Sequence, residues 1–312
     1  MITVPPYLKQ GDTIGIICPS GYMPYEKAKT CIEVLQQWGF IVRVGHTLGH
    51  QFNYFSGTDE ERLYDLQAML NNSFIKAILC ARGGYGLSRI IDEISFTKFK
   101  QNPKWIIGYS DITLLHAHIY RQCKIASIHS PMAAAFNDGQ HENEYIQALR
   151  NVLSGTPITY TTKPHSFNIQ GTCTGELIGG NLAIIAHMIG SKSSFRTDNK
   201  ILFIEDTGEY LYNIDRMFIQ LNRSGMLNNL AGLIIGRFTD MKDTTIPFGS
   251  DVYSIIRAHV EEYPYPVCFN FPVGHEKENY PLKIGIPHQL SISSSGVELK
   301  EIKSVIGNGS LI

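Results

Sequence analysis

Short apolar segments alternate with longer amphipathic ones in the first half of the chain, and this alternation constrains the fold more than any other feature. Four apolar runs have strand length: residues 13–18, 40–44, 77–80 and 105–108. Four helical patterns follow them in turn: residues 25–38, 58–71, 88–94 and 113–122. Such alternation is typical of βαβ units on a parallel sheet. The sequence therefore predicts an α/β fold of the Rossmann or flavodoxin-like kind.

Local signals support two of these helices. Thr58 followed by Glu61 forms a capping-box pattern at the start of the second helix. Gly39 follows the last apolar residue of the first helix, the position at which glycine commonly ends one.

The second half has a different pattern. A helix is predicted over residues 143–153, and residues 154–170 are then rich in Gly, Pro and Thr without helical periodicity. Beyond them lie two helical patterns and several strand-like runs: residues 214–224 and 251–263, and residues 201–205, 230–235, 267–270, 289–293 and 297–299. We therefore predict an N-terminal domain over 1–153, a linker over 154–170, and a mixed α/β or β-rich domain over 171–312.

Charge and composition exclude several classes of protein. The 312 residues include 27 Lys and Arg against 28 Asp and Glu, so no overall basic field exists to hold a nucleic acid. The six cysteines form no C-x-x-C pair, no H-E-x-x-H motif occurs, and no apolar run approaches the length of a membrane span. The sequence predicts a cytosolic protein without a metal site, a nucleic-acid partner or a membrane partner.

A serine stands at the end of the fourth predicted strand. The strand ends at Gly108. Ser110 and Ile112 come directly after it, and a helix is predicted from Thr113. A serine on a sharp strand-to-helix turn exposes its hydroxyl and lies beside backbone amides that stabilise developing negative charge. However, Ile112 occupies the place of the second glycine of the G-x-S-x-G elbow. The alternative is that Ser110 or Asp111 only caps the helix.

A glycine-rich segment, residues 82–86, follows the third strand at a neighbouring carboxyl edge. Ligands bind at such edges in open α/β sheets, and glycine amides there can bind an oxyanion. The glycine spacing fits neither a Walker loop nor a dinucleotide fingerprint. The alternative is an ordinary tight turn between strand and helix.

A serine nucleophile needs a base. His116 and His118 lie on the helix that leads away from Ser110, so we interpret them as packing or surface residues. His129 and His275 both follow strand-like runs, and the residues themselves leave these two candidates open.

An acid that orients the histidine is expected on the strand over residues 201–206. This apolar strand ends in Glu205 and Asp206, with Glu209 close behind. A carboxylate at the end of a buried strand is a plausible desolvated acid. The alternative is that Asp206 caps a turn and that Glu209 is a solvated surface charge.

Five short motifs occur in order along the chain: Arg82-Gly83-Gly84-Tyr85-Gly86, Gly108-Tyr109-Ser110-Asp111-Ile112-Thr113, Gly179-Gly180-Asn181-Leu182, Glu205-Asp206 followed by Ile214-Asp215-Arg216-Met217, and Gly274-His275. Together they resemble the signature of the LD-carboxypeptidase family, serine peptidases that include murein tetrapeptide carboxypeptidases and microcin C immunity hydrolases. The resemblance extends over nearly the whole chain.

The resemblance implies an N-terminal parallel α/β sandwich that carries the nucleophile and a C-terminal β-rich α/β domain that carries the remaining catalytic residues. It makes Ser110 the nucleophile, His275 the general base and Glu205 the orienting acid. The amides of Asp111 and of Gly83 or Gly84 would form the oxyanion hole.

The same resemblance makes Arg82, Tyr85 and Asn181 candidate substrate-binding residues, requires no cofactor, and implies a homodimer. The implied substrate is the amide between meso-diaminopimelate or L-lysine and the terminal D-alanine of a cytosolic murein tetrapeptide, cleaved during cell-wall recycling. Peptidyl-nucleotide conjugates are the alternative substrate, although the segment 163–174 offers only Phe167 as an aromatic contact. A non-catalytic binding protein for a peptide or sugar and an esterase on an α/β-hydrolase scaffold are the rivals from other classes.

Overall fold

The structure, a computed structural model, describes residues 1–302. These residues form thirteen strands: β1 Thr13–Ile17, β2 Ile41–Val44, β3 Ile75–Cys80, β4 Trp105–Gly108, β5 Ser127–His129, β6 Thr159–Thr162, β7 Gly171–Asn181, β8 Lys200–Thr207, β9 Gly232–Thr239, β10 Val267–Cys268, β11 Leu282–Ile284, β12 Pro287–Ser293 and β13 Gly296–Glu301. They also form eight α-helices: α1 Lys29–Gln37, α2 Asp59–Asn71, α3 Thr97–Gln101, α4 Thr113–His118, α5 Glu144–Leu153, α6 Leu182–Met188, α7 Leu211–Arg223 and α8 Val252–Val260.

The first sheet has the strand order β11-β5-β4-β3-β1-β2. Strands β1 to β5 are parallel, and β11 is added antiparallel to β5. The order of the five parallel strands is the flavodoxin-like one. Strand β4 is buried along its whole length, which explains its continuous apolar run. The predicted N-terminal parallel α/β fold is confirmed.

The second sheet has the order β10-β9-β8-β7-β12-β13-β6. Strands β7 to β10 are parallel, whereas β12, β13 and β6 are antiparallel. The predicted β-rich α/β character of the C-terminal half is therefore also confirmed. Two strands differ from the predicted domain limits. Strand β6 is formed within the predicted linker 154–170, and β11 of the C-terminal half pairs with β5 in the first sheet. The exact domain limits stay a prediction.

Local structure agrees with the capping signals and differs elsewhere. The Thr58 hydroxyl accepts from the amide of Glu61 while the Glu61 carboxylate accepts from the amide of Thr58, as predicted. The helix predicted over 88–94 consists instead of two short 3₁₀ turns, 87–89 and 91–93. At the start of the first of these, the amide of Leu87 donates to the carboxylate of Asp111 on the turn after β4.

The periodicity of the sequence does not predict the long strand β7 or the short helix α6. Residues 179–181, part of the third motif, are the end of β7, and Asn181 caps α6 by accepting from the amide of Ile184. The two glycines are needed for close contacts. A Cβ on Gly179 would collide with the carbonyl of Phe203 on β8, and one on Gly180 would overlap the side chain of Thr113.

Candidate active site

A cleft of about 450 Å³ lies where the carboxyl edges of the two sheets meet. The turns after β3 and β4 contribute from the first sheet, and the ends of β7 and β8 contribute from the second. The residues that line it are Arg82, Gly83, Gly84, Tyr109, Ser110, Asp111, Met132, Asn181, Ala183, Ile184, Asp206, Thr207, Glu209 and His275. Ser110 and His275, 165 positions apart in the sequence, therefore face the same cleft.

Ser110 stands on a strained turn. Its φ is +65°, a left-handed conformation that non-glycine residues seldom adopt and that is concentrated at functional sites. The hydroxyl of Ser110 does not cap the helix that follows, and neither does Asp111. The Asp111 carboxylate instead accepts from the Ser20 hydroxyl at 2.6 Å and from the Leu87 amide at 3.0 Å. Burial raises the pKa of Asp111 despite these two hydrogen bonds.

The departure from the G-x-S-x-G elbow has a packing reason. Gly108 has a φ of +155°, and a Cβ there would lie 3.0 Å from the side chain of Ile112. The first glycine thus leaves room for an isoleucine in the place of the second. His116, interpreted as a packing residue, is buried as expected, but its ring does reach back over the turn: Nε2 lies 2.8 Å from the Gly108 carbonyl.

The backbone of Gly83 packs against the nucleophile candidate. A Cβ on Gly83 would lie 2.8 Å from Cβ and 3.0 Å from Oγ of Ser110, and 3.2 Å from the amide nitrogen of Asp111. The space beside Gly83 is therefore within reach of both the Ser110 hydroxyl and the Asp111 amide. A reacting carbonyl oxygen needs such a position.

His275 is paired with Glu205. Nδ1 of His275 lies 2.7 Å from a carboxylate oxygen of Glu205, which has no solvent exposure, whereas the His275 side chain is 18% exposed. Burial by itself lowers the pKa of His275. The charge and the hydrogen bond of Glu205, followed by Asp206 and Asp240, outweigh burial and hold that pKa above its ordinary value. The tautomer with a proton on Nδ1 leaves Nε2 as an acceptor.

The fold makes room for the Glu205 side chain. The pairing of β8 with β9 shifts register between Ile204 and Asp206, an irregularity of the kind that re-aims a side chain. Glycines stand opposite it: a Cβ on Gly236 would lie 3.2 Å, and one on Gly274 3.4 Å, from Cβ of Glu205.

His129, the other histidine candidate, is fully buried behind the cleft. Its ring packs against Tyr109 and Phe203 at centroid distances of 5.7 and 5.0 Å. Burial, with the neighbouring histidines, lowers its pKa far below the ordinary value, so the ring is neutral. Tyr109 separates it from His275, whose ring centroid lies 4.8 Å from that of Tyr109. His129 has neither a carboxylate partner nor access to the cleft in residues 1–302.

Asp206 is a site residue whose environment the sequence analysis did not identify. It is buried, and its carboxylate accepts from Nδ2 of Asn181 and from the amides of Ala183 and Thr207, at 2.8 to 2.9 Å. Burial and then the charge of Glu205 raise its pKa to about 7, against these three hydrogen bonds. The signal available in the sequence was its place next to Glu205 at the end of a buried strand. Asn181, a predicted substrate contact, lines the cleft with both polar atoms of its side chain already engaged.

The two remaining candidates differ in position. Arg82 lines the cleft, and its guanidinium donates to the carbonyl of Tyr22 at 2.6 Å. Tyr85 is not among the lining residues. Its ring packs against Phe55 with the centroids 5.9 Å apart.

Residues 1–302 were searched for metal-binding groups and for membrane-spanning helices. They contain no group of three His, Cys, Asp or Glu side chains that could hold a metal ion. None of their helices has the length and apolar character that crossing a membrane requires.

Comparison with known proteins assigns the family. Residues 14–130 match the LD-carboxypeptidase N-terminal domain, and residues 174–290 match the LD-carboxypeptidase C-terminal domain. The probable murein peptide carboxypeptidase of Bacillus subtilis is 32% identical over 90% of this chain and 89% of its own length. The murein tetrapeptide carboxypeptidase of Pseudomonas aeruginosa is 26% identical over 85% and 89%.

Solved structures agree with this assignment. The crystal structure of muramoyltetrapeptide carboxypeptidase from Oxalobacter formigenes has a TM-score of 0.84 and 26% identity, covering 93% of this chain and 99% of that one. MccF in complex with glutamyl sulfamoyl guanosine has a TM-score of 0.85 over 96% and 98% at 22% identity, a likeness of fold alone. The two matched domains together with the full-length relatives show that this chain belongs to the LD-carboxypeptidase family of peptidases.

Proposed function

We propose that this protein is a serine carboxypeptidase that removes the terminal D-alanine from murein tetrapeptides. The amide cleaved joins that D-alanine to the L-centre of meso-diaminopimelate or L-lysine. One observation carries the proposal: Ser110, on a strained turn, shares a cleft with a His275 that is hydrogen-bonded to the buried Glu205. The names of the relatives from Bacillus subtilis and Pseudomonas aeruginosa support the substrate class.

The proposed reaction begins with the Ser110 hydroxyl. Nε2 of His275 accepts its proton as Oγ attacks the scissile carbonyl, and the amides of Asp111 and of Gly83 or Gly84 stabilise the oxyanion. The imidazolium that forms is stabilised by the carboxylate of Glu205. It then protonates the departing amine of D-alanine. Water, activated by the same histidine, adds to the acyl-enzyme and releases the shortened peptide.

Arg82 is suited to hold the carboxylate of the leaving residue. It is the one lining side chain with a permanent positive charge among the described residues of the cleft, and it directly precedes Gly83. A carboxypeptidase differs from an endopeptidase in requiring that terminal carboxylate, so a cation near the oxyanion site fits the proposed specificity.

The architecture argues against the rival scaffold. The Ser110 turn belongs to the first sheet, whereas Glu205 and the chain leading to His275 belong to the second. An α/β-hydrolase builds its triad on one sheet. The alternative nucleotide substrate also has less support, because Tyr109 is the one Phe, Tyr or Trp among the lining residues described, and its ring packs on His275. Phe167 packs against Phe269 instead.

Mass spectrometry of a murein tetrapeptide incubated with the purified protein tests the proposal. The wild type is expected to release one D-alanine, and Ser110→Ala is expected to release none. Ser291→Ala, a change of the same size on β12, is the matched control and should behave as the wild type. A tetrapeptide ending in L-alanine should stay intact.

An intact tetrapeptide with the wild type would overturn the murein proposal and make peptidyl-nucleotide conjugates the next substrates to test. Hydrolysis by Ser110→Ala at the wild-type rate would overturn the assignment of the nucleophile. The proposal includes the cytosolic location that the sequence predicts. It also includes a homodimer, which the family resemblance implies and which light scattering of the purified protein can check.

A further inference from the structure

A second cavity, of about 420 Å³, lies at the end of the second sheet opposite the active-site cleft. Glu176 and Lys200, the first pair of residues in the parallel pairing of β7 with β8, line this cavity. Asn181 at the end of β7 lines the cleft, about 16 Å further along the extended strand. None of the residues described lines both cavities. The second cavity is therefore separate from the active site.

The side chains that line the second cavity are mostly cationic. Arg121 and Lys124 come from the segment after α4, and Arg196 and Lys200 come from the start of β8 and the loop before it. Glu176 is the one carboxylate among the lining residues described, so the formal charge of these side chains is +3. The chain as a whole has nearly equal numbers of acidic and basic residues. A cavity lined by one sign of charge concentrates the opposite ion.

One of the four cations is paired within the protein. Glu176 accepts from Nζ of Lys200 at 2.8 Å and from the hydroxyl of Tyr120 at 2.7 Å. The other three cations are exposed and form no ion pair within residues 1–302: Arg121, Lys124 and Arg196. The cavity therefore has positive charge available to an anionic ligand.

The backbone that carries Arg121 and Lys124 is fixed. Arg121 lies on a π-helical segment, Ile119–Cys123, which directly continues α4, and such segments are frequent at functional sites. Lys124 follows this segment in a left-handed conformation with a φ of +57°, and its carbonyl accepts from the amide of Thr3 at 2.7 Å. A fixed backbone reduces the conformational freedom that is lost when its side chains bind a ligand.

The other side of the cavity is also fixed, and it is joined to the first. The hydroxyl of Thr197, next to Arg196, donates to the carbonyl of Met226 at 2.7 Å. Nε2 of Gln122 on the π-helical segment donates to the carbonyl of Lys192 at 2.6 Å, which connects the two sides. Two pairs of cations from different parts of the fold thus line one cavity from fixed backbone positions.

We propose that this cavity binds a diphosphate group. One phosphate lies on Arg121 and Lys124 and the other on Arg196 and Lys200, so the ligand links the segment after α4 to the start of β8. Arginine matches phosphate oxygens in pairs, and lysine adds a point charge. A ligand with two joined anionic groups reaches both pairs of cations, whereas a single sulfate reaches one.

The confinement of this charge to one cavity, in a chain of near-zero net charge, favours a small molecule over a nucleic acid. Inorganic pyrophosphate and nucleoside diphosphates both contain the diphosphate group. The site is independent of the proposed peptidase activity.

Isothermal titration calorimetry of the purified protein in about 0.15 M NaCl tests the site. Pyrophosphate is expected to bind to one site per chain with a Kd below about 1 mM, and saturating pyrophosphate should raise the melting temperature by a few degrees. Sulfate and succinate should bind at least about tenfold more weakly. Equal affinities for ADP and pyrophosphate would identify the diphosphate group alone as the ligand, and tighter binding of ADP would identify a nucleotide.

Four variants locate the bound anion. Arg121→Gln and Arg196→Gln, one from each side of the cavity, should each weaken pyrophosphate binding by about 10- to 100-fold, the range of a charged hydrogen bond. Arg43→Gln is the matched control, because Arg43 is exposed on β2 and forms no ion pair within residues 1–302. It should bind pyrophosphate as the wild type does. Arg82→Gln, which removes the arginine of the active-site cleft, should do the same.

A wild type without saturable pyrophosphate binding, or one that binds succinate equally tightly, would overturn the proposed ligand class. Weaker binding in Arg82→Gln, with unchanged binding in Arg121→Gln and Arg196→Gln, would place the anion in the active-site cleft and overturn this site. Either result leaves the proposed carboxypeptidase function standing.

Discussion

The first sheet contributes backbone turns to the cleft, whereas the second sheet contributes buried charged side chains. At the first edge, the φ of +65° at Ser110 and the close approach of Gly83 create a site from conformation and amide groups. At the second edge, the buried Glu205 holds His275 and raises its pKa against burial. The comparison indicates that the proposed nucleophile and oxyanion site depend on shape, and that the proposed base depends on electrostatics.

Glu205→Gln should have the largest effect, because it removes the charge on which the second edge depends. We expect kcat to fall by about 10³- to 10⁴-fold, as for the orienting acid of known serine triads. The pH dependence should also change. His275 must be neutral to accept a proton, so wild-type activity should rise through a pKa above the ordinary value of about 6.5. In the variant, burial acts without this opposing charge, and the acidic limb should move to lower pH.

Rate measurements from pH 5 to 9 on both proteins check this prediction. Glu176→Gln, which lies at the other end of the parallel strands, is the matched control and should leave the pH profile unchanged. An acidic limb at the same pH in the wild type and in Glu205→Gln would show that Glu205 does not set the pKa of the base.

Gly83→Ala should have the next largest effect, and it perturbs the first edge by shape alone. The new methyl group would lie 3.0 Å from Oγ of Ser110 and 3.2 Å from the Asp111 amide, where the oxyanion is expected. We expect kcat to fall by about 10²- to 10³-fold, comparable to the loss of one oxyanion donor. The pH profile should keep its shape, because no charge changes.

Gly11→Ala is the control for Gly83→Ala. Gly11 has a φ of +86° with no atom within 4 Å of its added Cβ, so the change strains the backbone without touching the cleft. It should lower the melting temperature by a few degrees and leave kcat unchanged. Wild-type kcat in Gly83→Ala would contradict the position assigned to the oxyanion.

Gly180→Ala should have a smaller effect on catalysis. It alters the contact between the two sheets, and it leaves the catalytic candidates on each sheet unchanged. The added methyl group would overlap the side chain of Thr113 at the start of α4, and the amide of Asn181 would lose its 3.0 Å hydrogen bond to Oγ1 of Thr113. Misplacement of catalytic groups by 1 Å can cost about 100-fold, so we expect kcat to fall by about 10- to 100-fold. Thermal unfolding measured beside kcat would show lower stability as well. If kcat and thermal stability are both unchanged, the contact between Gly180 and Thr113 is not the one that aligns the two sheet edges.

His129→Asn should have the smallest effect on activity. The ring of His129 lies behind Tyr109 and has no carboxylate partner within the described part of the chain, so kcat should change by less than about tenfold. His275→Asn measured in parallel should abolish most activity. The reverse ranking of the two variants would identify His129 as the base.

Part of this comparison was predictable from residue patterns. The capping box at Thr58, the burial of β4 and the sharp turn at Ser110 follow from local sequence, because each depends on residues within a few positions. Strand β7 was missed because its glycines interrupt any apolar pattern. Those glycines are explained by Phe203 and Thr113, which lie far from them in sequence.

Residue patterns cannot decide whether His129 or His275 is the base. Both histidines follow strand-like runs, and the sequence contains nothing local that ranks them. The family resemblance favoured His275. The physical difference between them, a carboxylate at 2.7 Å for one and a closed apolar site for the other, appears only in the folded chain.

The sequence by itself determined the α/β class, the family, and the short motifs that meet at the cleft. These properties depend on periodicity and on residues that are neighbours in the chain. The tertiary structure alone decided the pairing of His275 with Glu205, the burial of Asp206, the space beside Gly83 and the addition of β11 to the first sheet. Each of these is a contact between segments distant in sequence. Such contacts are set by the packing of the two sheets, and no local preference encodes them.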